Sequence, residues 1–281
     1  MNFVHARQAF RRVTRAPHRA RARKIRRLAQ GGLSLALGLG LWWAVIWLAD
    51  LPPFILPSPW QVAVRGWQAL RDGTLLYHTW VTLQEVLAGL ALGATTATLL
   101  GYALAKSRRL ERMLAPYIVA SQSVPVVAIA PLLVIWFGTG LLAKTLICAL
   151  IVFFPVLINT LVGVRSVPEE LRDLLRSLDA TPWQMVRYLE IPAALPVFLG
   201  GLRIGATLSV IGAVVGEFVA ADSGLGFLIN MARGRYDTAL VFVAVFALII
   251  LALALYGAVL ALERRFLAWQ TPSGGAMPSL E

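Results

Sequence analysis

The sequence predicts an all-α, polytopic membrane protein of six transmembrane helices. Three observations carry this. Of the 281 residues 58% are hydrophobic and mean hydropathy is +0.73, well above an ordinary soluble domain. Windows of twenty or more residues without a single charge recur along the chain, and a helix rising about 1.5 Å per residue needs about 20 apolar residues to cross the hydrocarbon core. The roughly ten-residue alternating segments of an outer-membrane barrel are absent.

Residues 1–27 form a basic arm. Ten of the 26 Lys and Arg residues lie between Arg7 and Arg27, and the first acid is Asp50, so most of the net charge of +12 sits ahead of the first apolar segment. Such an arm could be a nucleic-acid tail, but directly before a span the positive-inside rule explains it more simply, with attraction to anionic lipid as a lesser role. No nucleic-acid partner is expected. Leu28 to Ala49 is the first span. It is long for the apolar region of a signal peptide, "WLADLPPF" after it offers no small-residue cleavage site, and Arg11 and Arg12 lack the rest of a twin-arginine signal. It reads as a retained anchor.

The windows Val86 to Ala105, Met113 to Phe137, Thr145 to Val164 and Thr238 to Leu262 are free of charge, and Val197 to Ala221 carries only Arg203, expected to snorkel toward the inner interface, and Glu217. Residues 28–269 thus make a six-helix domain, followed by a tail, 270–281. Cys148, the single cysteine, falls inside the fourth span, which excludes an intramolecular disulfide and disfavours thiolate metal chemistry. Charge fixes orientation. "KSRRLERM" after the second span sets Lys106, Arg108, Arg109 and Arg112 against Glu111, and Arg264 and Arg265 follow the sixth span. The alternate loops, Asp50 to Glu85, Gly138 to Lys144 and Asp222 to Asp237, are nearly balanced. Both termini, and the loop 166–192, are therefore expected in the cytoplasm.

That loop is unusually charged for so apolar a chain. Ser166 with Glu169 spells one capping box, and Thr181 with Gln184 spells another with Pro182 at the first helical position. Two starts predict two short helices with a bend between. Leu171, Leu174, Leu175 and Leu178 recur at i, i+3, i+4 and i+7, and Met185, Val186 and Leu189 continue the apolar face. A helix lying on the bilayer favours a basic polar face. Here acids such as Glu170 and Asp173 alternate with bases, which suits a protein partner better.

Asp173, Leu174, Leu175, Asp179, Leu189, Ile191 and Pro192 keep the spacing E-A-A-x3-G-x9-I-x-L-P, with only Pro192 identical. This resembles the cytoplasmic EAA loop of ABC importer permeases. The resemblance runs from about Leu51 to Trp269. "LPSPWQV", "SVPVVAIAPLLVIWFGTG", "GLRIG" and "GEFVAADSGLGFLI" look like the branch of nitrate, taurine, alkanesulfonate and thiamin-precursor permeases. Within it, the third and fifth spans look most like members for pyrimidine-type thiamin precursors or riboflavin. The resemblance implies a homodimer in a bacterial inner membrane, working with two cytoplasmic ATPase subunits and an extracytoplasmic substrate-binding protein. ATP and Mg would belong to the ATPase, with no cofactor in this chain, and 166–192 would dock as coupling helices through Glu170, Asp173, Leu174, Leu175, Leu178, Asp179, Leu189, Ile191 and Pro192.

"GTGLLAKT", Gly138 to Thr145, nearly spells a P-loop, but Ala143 stands where glycine is required and the stretch lies in a short outward turn. No helix carries a hydrolase signature, so the chain is not expected to be an enzyme. Ser121, Gln122 and Ser123 precede Pro125 and Pro131, which free backbone carbonyls. They read equally as a pathway wall or as interhelical hydrogen-bonding groups. Glu217 lies near the outer end of its span, where bracing the outer loop or gate is favoured over substrate contact. Gly89 with Gly93, and Gly212 with Gly216, mark close helix packing. A secondary transporter would need inverted repeats and buried ion-coupling acids, which the sequence does not display. A membrane scaffold would leave the two prolines unexplained.

Overall fold

The computed structural model describes residues 16–268. The basic residues before Ala16, and the tail with Gln270 onward, lie outside the described residues. The described chain contains helices and no strand, and divides after Val64 into two compact units.

In the first unit, α1 (Ala16–Ala49) carries an apolar stretch, Gly32–Ala49, long enough to cross a membrane. The helix runs back without interruption into the basic arm, so the expected boundary at residue 28 is one of composition rather than of backbone. It ends at Asp50, whose left-handed φ of 46° is followed by Pro52 and Pro53. Helix α2 (Pro59–Arg71) begins with a capping pair, Ser58 N–H donating to Gln61 Oε1 and Gln61 N–H to Ser58 Oγ at 2.8 and 3.2 Å.

The second unit holds α3 (Thr74–Lys106), α4 (Arg108–Gln122), α5 (Val126–Phe137), α6 (Leu141–Arg165), α7 (Glu169–Ser177), α8 (Pro182–Met185), a π-helical turn (Val186–Glu190), α9 (Ile191–Val219), α10 (Leu225–Gly234) and α11 (Thr238–Phe266). Helix α6 is its axis: half of its apolar window is buried, against 28% for α3 and 22% for α11. It packs between α3 and α9, with α11 on α9. Lipid supplies no hydrophobic drive between helices, so close backbone approach must hold them. Gly89 of α3 and Gly212 of α9 both press on Cys148; a Cβ at Gly212 would come within 2.8 Å of Cys148 Cα. Gly93 faces Ala149 and Gly216 faces Lys144 in the same way. The two expected glycine pairs are therefore packing surfaces.

The third span departs from a single helix. It is broken into α4 and α5, 15 and 12 residues long, at an angle of 94°. The break falls at one of the two prolines singled out, Pro125, because a residue before proline is pushed out of the α region and proline has no N–H to continue the ladder. Pro125 is extended at ψ 125°, whereas Pro131 stays within α5. Among the described residues five helices are long and apolar enough to cross a membrane, and the bent pair makes a sixth only if counted as one span.

The fifth span also departs. The second loop helix is not separate from it: α8, the π turn and α9 form one 38-residue segment, Pro182–Val219. Pro192 lies just inside it. Its ring crowds the carbonyl four residues back, and the wider π turn absorbs the mismatch, with Ile191 N–H reaching Val186 O.

Two residues assigned to outward loops by hydropathy are helical and buried. Glu85 of α3 is 1% exposed, and its carboxylate receives Lys144 Nζ of α6 at 2.8 Å. Removing one partner of such a pair costs about 3–5 kcal/mol because the other charge stays buried. Lys144→Met should therefore lower the thermal unfolding midpoint of the detergent-solubilised protein sharply, while Lys144→Met combined with Glu85→Gln should recover most of it. A double variant as unstable as the single would show that charge pairing contributes nothing there.

Candidate functional site: the elbow and the opposite brace

The loop 166–192 folds as an elbow. The expected Ser166 box is not formed: Pro168 occupies the cap of α7, and Ser166 Oγ donates to Gly163 O. Val167 precedes proline and is held out of helical conformation, which blocks a start at Ser166. The Thr181 box is formed, with Gln184 N–H donating to Thr181 Oγ1 and Thr181 N–H to Gln184 Oε1. Between them α7 closes with Ala180 N–H to Leu175 O and Asp179 N–H to Arg176 O, each at 3.0 Å. This pairing requires a left-handed residue, and Asp179 supplies it at φ 51°. The first amides of α8 are satisfied by the Thr181 box rather than by Asp179.

The apolar stripe of the elbow is open. Leu171, Leu174 and Leu178 are exposed, with Trp183, Tyr188 and Ile191 continuing it; Leu175, Leu189 and Pro192 are half-buried. Glu170 and Asp173 stand in solvent beside it, and Asp173 pairs with Arg176 at 2.9 Å. These apolar side chains thus stand exposed on a charged loop.

Behind the elbow lies a junction that sequence reasoning missed. Glu190, in the π turn, is 1% exposed; it accepts from Tyr102 Oη at 3.0 Å and Lys106 Nζ at 2.5 Å, and Arg172 Nη1 stands 3.9 Å away. One carboxylate thus ties α3, α7 and the root of α9. The signal was a single acid in the apolar run "YLEIPAALP", but its partner, Lys106, is 84 positions away and read as a loop charge.

At the opposite end, Glu217 is 1% exposed and bound from two sides. Thr82 Oγ1 donates to Oε1 at 2.6 Å and Gly226 N–H to Oε2 at 2.5 Å, while Leu225 N–H donates to Thr82 Oγ1 and Gly224 N–H to His78 Nδ1. Gly224 and Gly226 leave room that any Cβ would take from the carboxylate. Glu85 lies beside Glu217, so two buried acids share one site where the sequence reading placed only Glu217 within a span. Glu217 faces Thr82 and α10, away from the Ser121–Pro125 break. At the break Ser121, Gln122, Ser123 and Pro125 are exposed, and the two serine hydroxyls donate to carbonyls of their own helix, Ile118 O and Val119 O, rather than across helices. Arg203 pairs with Glu263 at 3.2 Å and lies over the Tyr256 ring. No group of His, Cys, Asp and Glu fit to hold a metal occurs among the described residues.

Residues 89–268 match the family described as binding-protein-dependent transport system inner membrane component. The riboflavin transport system permease protein RibX of Chloroflexus aurantiacus is 49% identical over 238 residues, covering 85% of this chain and 89% of that one. The formylaminopyrimidine transport permease protein ThiX of Halalkalibacterium halodurans is 37% identical, with 78% and 87% covered. The taurine transport system permease protein TauC of Escherichia coli is 34% identical, with 84% and 88% covered. The inward-facing MetNI methionine ABC transporter superposes with a TM-score of 0.61 over 67% of this chain and 94% of that one at 22% identity, a likeness of fold. An open elbow on a bundle of spans is what a transport subunit needs and a catalyst does not, and the chain belongs to the binding-protein-dependent inner membrane components, the permeases of ABC importers.

Proposed function

We propose that this permease imports a riboflavin-like or pyrimidine-type solute, with taurine, alkanesulfonate or nitrate as the next classes, and that the elbow docks on a separate cytoplasmic ATPase. The family carries the partners in outline, an ATPase and a substrate-binding protein; a homodimer is the arrangement we propose. The observation that carries the docking role is the uncovered stripe Leu171, Leu174, Leu178 and Trp183. ATP and Mg act on the ATPase, and its closure moves the elbow. Glu190 passes that motion to α3, and the continuous segment Pro182–Val219 passes it to the far end. The substrate reading is supported by the likeness to the riboflavin and formylaminopyrimidine permeases. Uptake of radiolabelled riboflavin, formylaminopyrimidine and taurine by cells carrying the permease with its ATPase and binding protein tests it; uptake of taurine alone overturns the ordering.

In this orientation the elbow and Arg109 are cytoplasmic and Asp222 faces outside. Cys148 is buried, so single-cysteine variants can be read against a silent background. Asp222→Cys should react with an impermeant maleimide in intact cells, and Arg109→Cys only after permeabilisation; the reverse pattern inverts the protein.

Leu174 is exposed in the isolated chain, so Leu174→Asp should fold and insert normally. In a docked, desolvated stripe the same charge costs several kcal/mol. Uptake and ATPase co-purification should both fall at least about tenfold. A variant that still transports and still holds its ATPase removes the docking role.

At Asp179 the left-handed backbone costs an ordinary residue about 1 kcal/mol that glycine avoids. Asp179→Gly should keep uptake at the parent level, whereas Asp179→Val, β-branched at positive φ, should lose it. If glycine abolished uptake with the ATPase still bound, the aspartate side chain itself would be a contact.

A further inference from the structure

Two hollows meet at the inner side of the elbow. One, of about 310 Å³, is walled by Lys106, Arg172, Arg176 and Glu190, with Pro182 and Met185. The other, of about 360 Å³, is an apolar groove between α3 and α9 lined by Leu99, Ala194, Leu195 and Phe198. Tyr102, Val186 and Glu190 are common to both, so the pair forms one amphipathic cavity within the usual range of ligand sites. The groove lies along helices long and apolar enough to span, and the polar hollow lies at their charged end.

The polar hollow has an unused donor set. Glu190 is taken by Lys106 and Tyr102, and Arg176 by Asp173 and Glu169 on its exposed side. Arg172 is 20% exposed, yet among the described residues its hydrogen bond is Nη2 to Val164 O at 3.0 Å. Its Nε is buried without an acceptor, and the nearest carboxylate oxygens, of Glu169 and Glu190, stand 3.9 Å from Nε and Nη1, beyond hydrogen-bond reach. The Nε–H of Arg172 is therefore an unanswered donor, and Lys106, in the same wall, keeps N–H groups beyond the one it gives Glu190, so the two cations can hold different oxygens of one phosphate. With Arg176 paired on its exposed side, the wall still sets two cations, Lys106 and Arg172, against the single acid Glu190.

We propose that this cavity binds a membrane phospholipid with an anionic headgroup, its phosphate on Arg172 and Lys106 and an acyl chain in the Leu99–Phe198 groove. The groove is what selects a lipid over a free anion, since inorganic phosphate or glycerol phosphate leaves it unfilled. The inference uses α3, α9 and the inner side of the elbow, and does not depend on the solute or on ATPase docking.

Native mass spectrometry of the full-length permease in mild detergent tests it, with dioleoyl-phosphatidylglycerol, dioleoyl-phosphatidylcholine and inorganic phosphate as probes. Phosphatidylglycerol should be retained at about tenfold lower concentration than phosphatidylcholine, and Arg172→Gln should reduce that retention about tenfold while Arg109→Gln, an exposed cation outside the cavity, leaves it unchanged. Leu99→Trp, at an exposed position that does not disturb the core, should reduce retention by blocking the groove. Equal retention of the two lipids, or equal losses for Arg172→Gln and Arg109→Gln, would overturn the site. So would undiminished retention in Leu99→Trp, which decides the matter alone if Arg172→Gln fails to fold; with phosphate competing fully, that outcome leaves a free-anion site instead.

Discussion

The architecture of the second unit depends on how closely α3 and α9 approach α6 at Cys148. Gly89 and Gly212 remove the side chains that would hold the three backbones apart, and in lipid such contact is the main source of helix association. The polar residues gain their partners from it. Lys144 lies one turn before Cys148 and reaches Glu85 only because α3 is drawn in beside α6. At the other end of α6, Arg165 grips Glu111 with both terminal nitrogens, at 2.7 and 2.6 Å, and reaches Leu104 O. Small residues set the distance between helices, and ion pairs set their register.

The two ends of the bundle are built differently. At one, Glu217 is enclosed by Thr82 and the amide of Gly226, which joins α3, α9 and α10 into a brace. At the other, Glu190 meets α3 and α7 across a π turn forced by Pro192. Glu190 and Glu217 lie on one continuous helical segment, about 40 Å apart at 1.5 Å per residue. A displacement of the elbow therefore reaches the brace along a single stiff element. The π turn places compliance next to the elbow rather than in the middle of the span.

Local features were legible in the sequence where the deciding groups are neighbours. The Thr181 box, the left-handed turn at Asp179, the break at Pro125 and the glycine faces follow from short spacing and backbone sterics. The Ser166 box failed because the motif was read without the proline inside it. Glu85 and Lys144 were lost for another reason: hydropathy windows end at a charge, so each was trimmed from its helix into a loop, while their pairing spans 59 positions. Glu190 was seen as one charge among many in the elbow, since nothing within several residues shows that Lys106 and Tyr102 come to meet it. Residue type at such positions is informative only once helix neighbours are known.

The buried acids bear on mechanism. In a transporter driven by an ion gradient, an intramembrane acid must exchange a bound ion and so must have a coordination position that empties and refills. Glu85 receives Lys144 from a packed helix, and both oxygens of Glu217 are engaged by groups fixed in α3 and in the turn before α10. Protein groups thus engage both oxygens of Glu217 and one oxygen of Glu85. The acids act as fasteners in a medium where an unpaired polar group is costly, and the energy that opens and closes the pathway has to enter elsewhere. In the docking we propose, that energy enters at the elbow, whose stripe is uncovered and whose root is joined to α3 through Glu190.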